Sequence, residues 1–371
     1  MAGCTCPTRR LGPLGGDAER VFPWAGVVVL DVEYESYAEA VSGQWLAHVS
    51  ELIAWNHGIL HFVQALGSPL LQNHGLRLLR TSHAVLEQLE SPSSQAANHE
   101  FGTEARFLQV AGAGGLTPWE VLEAGAGAEA LRLLPQVEFT GRPSYGPAFD
   151  LLAQHVGDDV ASELCYLFAF LSFITADPCD TFLRLVEAAS GDSGPWRRMR
   201  AADILEQLGF GEEFESYLDL VSVGEPVGTP YVVDPMREAM QRLGRSQLLE
   251  TLARPAAHLN ELAEDDLRSL LPPVIVYPSS TGGLVHHLNG VAREDGGDFA
   301  SNALAEVGIF GAACGLAVSP LGTYCHHVQC PTHPTGLCSH WYNPPTSERG
   351  HADCPFPGVF AHWAAREPTS V

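Results

Sequence analysis

Between Tyr324 and Cys354 the chain reads YCHHVQCPTHPTGLCSHWYNPPTSERGHADC, which holds four of its nine cysteines and five of its sixteen histidines. Thiolate and imidazole are the ligands zinc prefers, and a structural zinc takes four of them in a tetrahedron. The cysteines are Cys325, Cys330, Cys338 and Cys354, spaced C-x4-C-x7-C-x15-C, with Cys330 and His333 the closest ligand-like pair and His340 just beyond Cys338. Five prolines between Pro331 and Pro355 oppose regular structure there. A short irregular segment without a core of its own needs a staple. The expected ligand set is therefore drawn from Cys325, Cys330, His333, Cys338, His340 and Cys354, with zinc first and iron second. No C-x2-C pair occurs, so the spacing is not that of a standard zinc finger. Disulfides, free thiols or buried cysteines with surface histidines remain open. The pair Cys4 and Cys6 at the N-terminus could chelate a soft metal, but reads more simply as part of a loose end.

A second group of ligand-type side chains sits on a helical pattern. His57 and His61 are four residues apart, and His48 and Glu51 three apart, so each pair shares a helix face. Apolar residues wrap most of this helix, which marks it as central and buried. A strip of small residues (Gly43, Ala47, Ser50, Ala54, Gly58 and Ala65) remains, and His61 borders it. Such a strip lets another backbone or a flat ligand approach closely. A buried histidine needs a hydrogen-bond partner or a metal. The next helix adds His74, and His83 with Glu87.

The third group is His286 and His287 in GGLVHHLNG, expected in a Gly-rich loop just after a strand, where either could act as a general base or a ligand. With His57 and His61 they are the candidate catalytic residues. Asp31 and Glu33 end a hydrophobic strand and read as solvated carboxylates. The acidic run REDGGDF at Arg293–Phe299 reads as a polar turn, because calcium needs more oxygens at regular spacing.

The composition excludes several classes. The chain has no lysine; all 20 basic residues are arginine. No Schiff base to pyridoxal phosphate can form on it, and the lysines of P-loop and kinase phosphate sites are absent. A net charge of −24 repels nucleic acid and anionic membranes, and the local PWRRMR run at Pro195–Arg200 reads as a solvated face. The most apolar run, Leu164–Ala176, is too short to span a bilayer comfortably, and the first 20 residues lack the apolar core of a signal peptide. A cytoplasmic protein is expected, in a compartment where clustered cysteines favour metals over structural disulfides.

The elements that must position these groups are mostly helices. Residues 35–67 and 68–91 should form an antiparallel helical hairpin. Thr117-Pro118-x-Glu120 is a helix start of the capping-box kind. Further helices are expected at about 146–156, 158–175, 178–190, 196–208, 211–222 and within 234–271. Strands are expected at Gly26–Tyr34 and within Pro272–Pro278. The predicted fold is thus mainly α: a bundle-like helical body with a minor β element and an irregular Cys/His-rich C-terminal segment. Its divisions are a flexible lead-in (1–20), a helical body (21–271), and a Gly-rich loop region with the metal-binding segment (272–371). The expected function is a zinc- or non-haem-iron-dependent enzyme acting on a small molecule. The alternative is a non-catalytic helical scaffold or partner-binding protein stapled by a structural zinc.

Overall fold

A computed structural model describes residues 19–22, 27–30, 32–40, 48–87, 100, 103–104, 107–134, 145–191, 193–216, 245–254, 274–276, 285–288 and 291–293. The described part is mostly helical. Its main helices are α1 (Tyr34–Glu39), α2 (Val49–Gly67), α3 (Pro69–Glu87), α4 (Pro118–Arg132), α5 (Pro147–Val156), α6 (Asp158–Ser172), α7 (Pro178–Ala189), α8 (Ala201–Gln207) and α9 (Arg245–Ala253). None of the helices among the described residues is long and apolar enough to cross a membrane.

Helix starts follow local chemistry. Thr117 accepts from the Glu120 backbone N–H at 3.2 Å, and Glu120 accepts from the Thr117 N–H at 2.8 Å, closing a capping box before α4. Asp177 caps α7 through the Asp180 N–H. Pro69, Pro118, Pro147 and Pro178 each open a helix, where a missing N–H costs nothing. Gly157, at φ +85°, makes the sharp turn between α5 and α6.

α6 is the core of the helical body. Tyr166, Phe168, Phe170, Leu171 and their neighbours are buried, and α4, α5 and α7 pack against it. α2 is buried as its apolar wrap predicts, fully so from Leu60 through Gly67. It lies between two layers: α4 on one side, and strands β1 (Glu19–Phe22) and β2 (Val27–Leu30) on another. The small residues Ala54, Gly58 and Ala65 are all buried in these contacts.

The sheet has five strands in the order β1-β2-β3-β4-β5, with β3 at Val274–Val276, β4 at Val285–Leu288 and β5 at Val291–Arg293. β2 and β3 are parallel; the other pairs are antiparallel. Val28, Val29 and Leu30 are buried in succession, as expected of a strand covered on both faces.

Three expectations change. The stretch 35–67 is not one helix: α1 and α2 are separate, and His48 stands at the N-cap of α2 with non-helical φ −132° and ψ 48°. His48 therefore shares no helix face with Glu51; its Nε2 lies 2.6 Å from Glu39 Oε2 instead. Glu19 and Arg20, placed in the lead-in, belong to β1. His286 and His287 are in strand β4 rather than a loop, with backbones in register with Ile275 and Val274 of β3. The parallel pair is thus flanked by β1 on one side and the β4–β5 hairpin on the other, where the sequence signalled only two strands.

Candidate metal centre

His57 and His61 stand one turn apart on α2, and α4 brings Glu123 against them. The ligand atoms of the three side chains all lie within 4.8 Å of one another. His61 Nε2 is 3.2 Å from Glu123 Oε1, and His57 Nε2 is 3.6 Å from Glu123 Oε2. Ligands about 2.0–2.2 Å from a tetrahedral ion sit roughly 3.3–3.6 Å from each other. The two imidazoles meet edge to face, with ring centroids 4.5 Å apart and planes at 70°.

The tautomer of His61 follows from its neighbour. Gln64 Nε2 donates to the Leu122 carbonyl at 3.3 Å. The reverse amide orientation would set two oxygens against each other, so the Gln64 oxygen faces His61. Nδ1–H of His61 then donates to that oxygen at 2.8 Å. In the neutral ring, Nε2 carries the lone pair. Nε2 is fully buried, forms no hydrogen bond among the described residues, and faces a carboxylate oxygen. The 3.2 Å separation is an ion-pair distance, but its direction is not that of an N–H···O bond. Two electron-rich atoms in that relation repel unless a proton or a metal cation is shared between them. A histidine that ligates a metal through one nitrogen while the other N–H is held by an oxygen acceptor has this arrangement.

Close packing of α4 onto α2 and α6 holds the three side chains there. A Cβ on Gly125 would lie 2.6 Å from the Ala169 Cβ and 3.3 Å from Gln64 Nε2, so only glycine permits this approach. Tyr166 of α6 donates its O–H to the Leu60 carbonyl at 3.2 Å, fixing α2 one residue from His61. Exposure is graded across the group: His61 0%, His57 12% and Glu123 25% by side chain. An ion here would be anchored on the buried side and reachable from the other. Two histidines and a carboxylate leave coordination positions open, a donor set used by both zinc and non-haem iron enzymes.

The remaining candidates fall elsewhere. His74 is buried, its Nδ1 2.8 Å from Glu104 Oε1, and His83 is exposed. His286 and His287 are described by their strand pairing alone. Cys325, Cys330, His333, Cys338, His340 and Cys354, with Cys4 and Cys6, lie outside the described residues. Cys165 and Cys179 are buried free thiols. Burial pushes Cys179 up to about 11 and Cys165 higher still, which leaves both poor ligands and poor nucleophiles.

Sequence reading found the two histidines but missed Glu123 and Gln64. Gln64 follows His61 by three residues, one turn on. Glu123 directly precedes the small-residue run Ala124–Ala128, which marks a helix face built for close approach. No family model matches the chain, and no curated protein or solved structure matches it either.

Proposed function

We propose that this protein is a metal-dependent enzyme acting on a small molecule, with zinc or non-haem iron held by His57, His61 and Glu123. The observation that carries the reading is the buried His61 Nε2, its lone pair set by Gln64 and turned toward a carboxylate with no hydrogen bond between them. Partial exposure of His57 and Glu123 supports a catalytic role over a closed structural site, because substrate or water needs access to the open position. Such an ion would activate a bound water or polarise a substrate oxygen. The Cys/His segment would then carry a separate ion, and His286 or His287 a supporting role in catalysis.

The test begins with the full chain purified without a histidine tag. Bound metals are measured by elemental mass spectrometry in the wild type, in His57→Ala/Glu123→Ala, and in Cys330→Ser/Cys338→Ser. One equivalent lost in the first variant and retained in the second is the expected result. Equal metal content in the wild type and the first variant would refute the site. Cobalt substitution then separates enzyme from scaffold. A visible spectrum that shifts with azide reports an open coordination position. A spectrum indifferent to azide makes the ion structural and favours the helical scaffold.

A further inference from the structure

A second site lies away from the His/Glu group, where α4, α6 and α9 meet. A cavity of about 210 Å³ is lined there by three arginines and two glutamates, with Leu164, Leu167 and Ala253 as apolar wall. That volume is about seven waters' worth, room for a compact ligand and little more.

The three arginines are not paired alike. Arg132 grips Glu129 with both arms of its guanidinium at 2.7 Å, and Glu129 is almost fully buried. Arg197 likewise holds Glu163 through two contacts of 2.6 Å. Arg254 has no carboxylate partner among the described residues. Its terminal nitrogens donate to the backbone carbonyls of Trp196, Arg197 and Met199. Its Nε–H is buried and has no acceptor among the described residues. The Arg254 guanidinium in the wall of this cavity is therefore held by carbonyls rather than by a direct ion pair among the described residues, on a chain whose net charge is −24. A buried donor on a charged group is costly to leave unmade. Burial also lowers the Arg254 pKa, offset in part by the charge of Glu250 one turn earlier on α9.

We infer that this cavity binds a compact organic anion, whose carboxylate or phosphate meets Arg254 and whose short apolar part rests on Leu164 and Leu167. Arginine suits this task because its planar donors match a carboxylate or phosphate edge. The inference stands independently of the metal centre, since none of its residues belongs to that group.

Isothermal titration of the full-length protein at low salt with succinate, butyrate and inorganic phosphate tests it. Saturable binding of at least one probe is expected. Preference for succinate or butyrate would assign an organic acid, and preference for phosphate a phosphate ester. Arg254→Gln should abolish binding. Because Arg254 also ties down three carbonyls, a second pair of variants keeps the test decisive if that protein fails to fold. Arg197 and Glu163 are 40% and 47% exposed, so changing either leaves the core alone. Glu163→Gln should tighten the anion and Arg197→Gln should weaken it, each by about fivefold. Failure of all three probes to saturate, or an affinity that neither substitution moves in its stated direction, would overturn the assignment.

Discussion

Gln64→Leu is the substitution that tests the metal centre most directly, because Gln64 touches the proposed ion only through His61. In the native protein the His61 Nδ1–H has one acceptor, Gln64 Oε1 at 2.8 Å, in a site with no exposure to solvent. Leucine fills similar space and removes that acceptor. The imidazole then has two choices. It can keep its proton on Nδ1, unbonded and buried, at a cost of about 1–3 kcal/mol. Or it can move the proton to Nε2, toward Glu123 Oε1 3.2 Å away, and so lose the lone pair a metal requires. Both choices weaken the ion relative to the metal-free protein. Loss of such an outer hydrogen bond typically reduces metal affinity about 10–100-fold. Competition with a chromophoric chelator, for zinc and for cobalt, measures it. General loosening of the fold is separated by Thr117→Ala, which removes the α4 cap. That change should cost about 1 kcal/mol in urea unfolding and leave metal affinity unchanged. If Gln64→Leu binds metal as tightly as wild type, the tautomer argument fails, and with it the place of His61 as a ligand.

Three further outcomes follow from the same packing. Glu123→Gln, which keeps the shape and removes the charge, should lower zinc affinity at least as far as Gln64→Leu does, by the same chelator assay. Gly125→Ala should destabilise by about 1–3 kcal/mol in chemical unfolding despite alanine's better helix propensity, because the new methyl would stand 2.6 Å from the Ala169 Cβ; it should also weaken metal binding by displacing Gln64. Cys179 should resist alkylation in the native protein at pH 8 and react on unfolding, as followed by mass spectrometry. Its folded pKa is raised by burial from 9.0 to about 11, so the unfolded chain releases this proton first. Its contribution to stability is therefore complete below pH 9 and declines between pH 9 and 11, by about 1.4 kcal/mol per unit. Cys179→Ser should flatten that part of the stability profile.

What the sequence made legible was whatever depends on neighbours along the chain. The cap of α4 was readable because Thr117 and Glu120 are one turn apart and answer each other's backbone N–H groups. The burial of α2 was readable from its apolar wrap, and the facing of His57 and His61 from their spacing of four. The separation of α1 from α2 and the placement of His286 and His287 in a strand were less so. Val-His-His-Leu shows no alternation, and only pairing with Val274–Val276 and Val291–Arg293 makes it β structure. Glu123 was the hardest case. α4 carries three glutamates, Glu120, Glu123 and Glu129, none distinguished by residue type. Glu120 serves the cap and Glu129 an arginine. Which of them meets the histidines is decided by how closely α4 can lie on α6 and α2, and that depends on Gly125 having no side chain. The signal was therefore present as an absence of bulk: a small strip on α2 beside His61, and a small run on α4 just after Glu123. Two such surfaces can face each other at short range, and a polar side chain at the edge of each is then carried into contact. Read this way, the pairing of His61 with Glu123 is a consequence of helix packing first and of ligand chemistry second. Restoring bulk at Gly125 should damage the centre without touching any ligand.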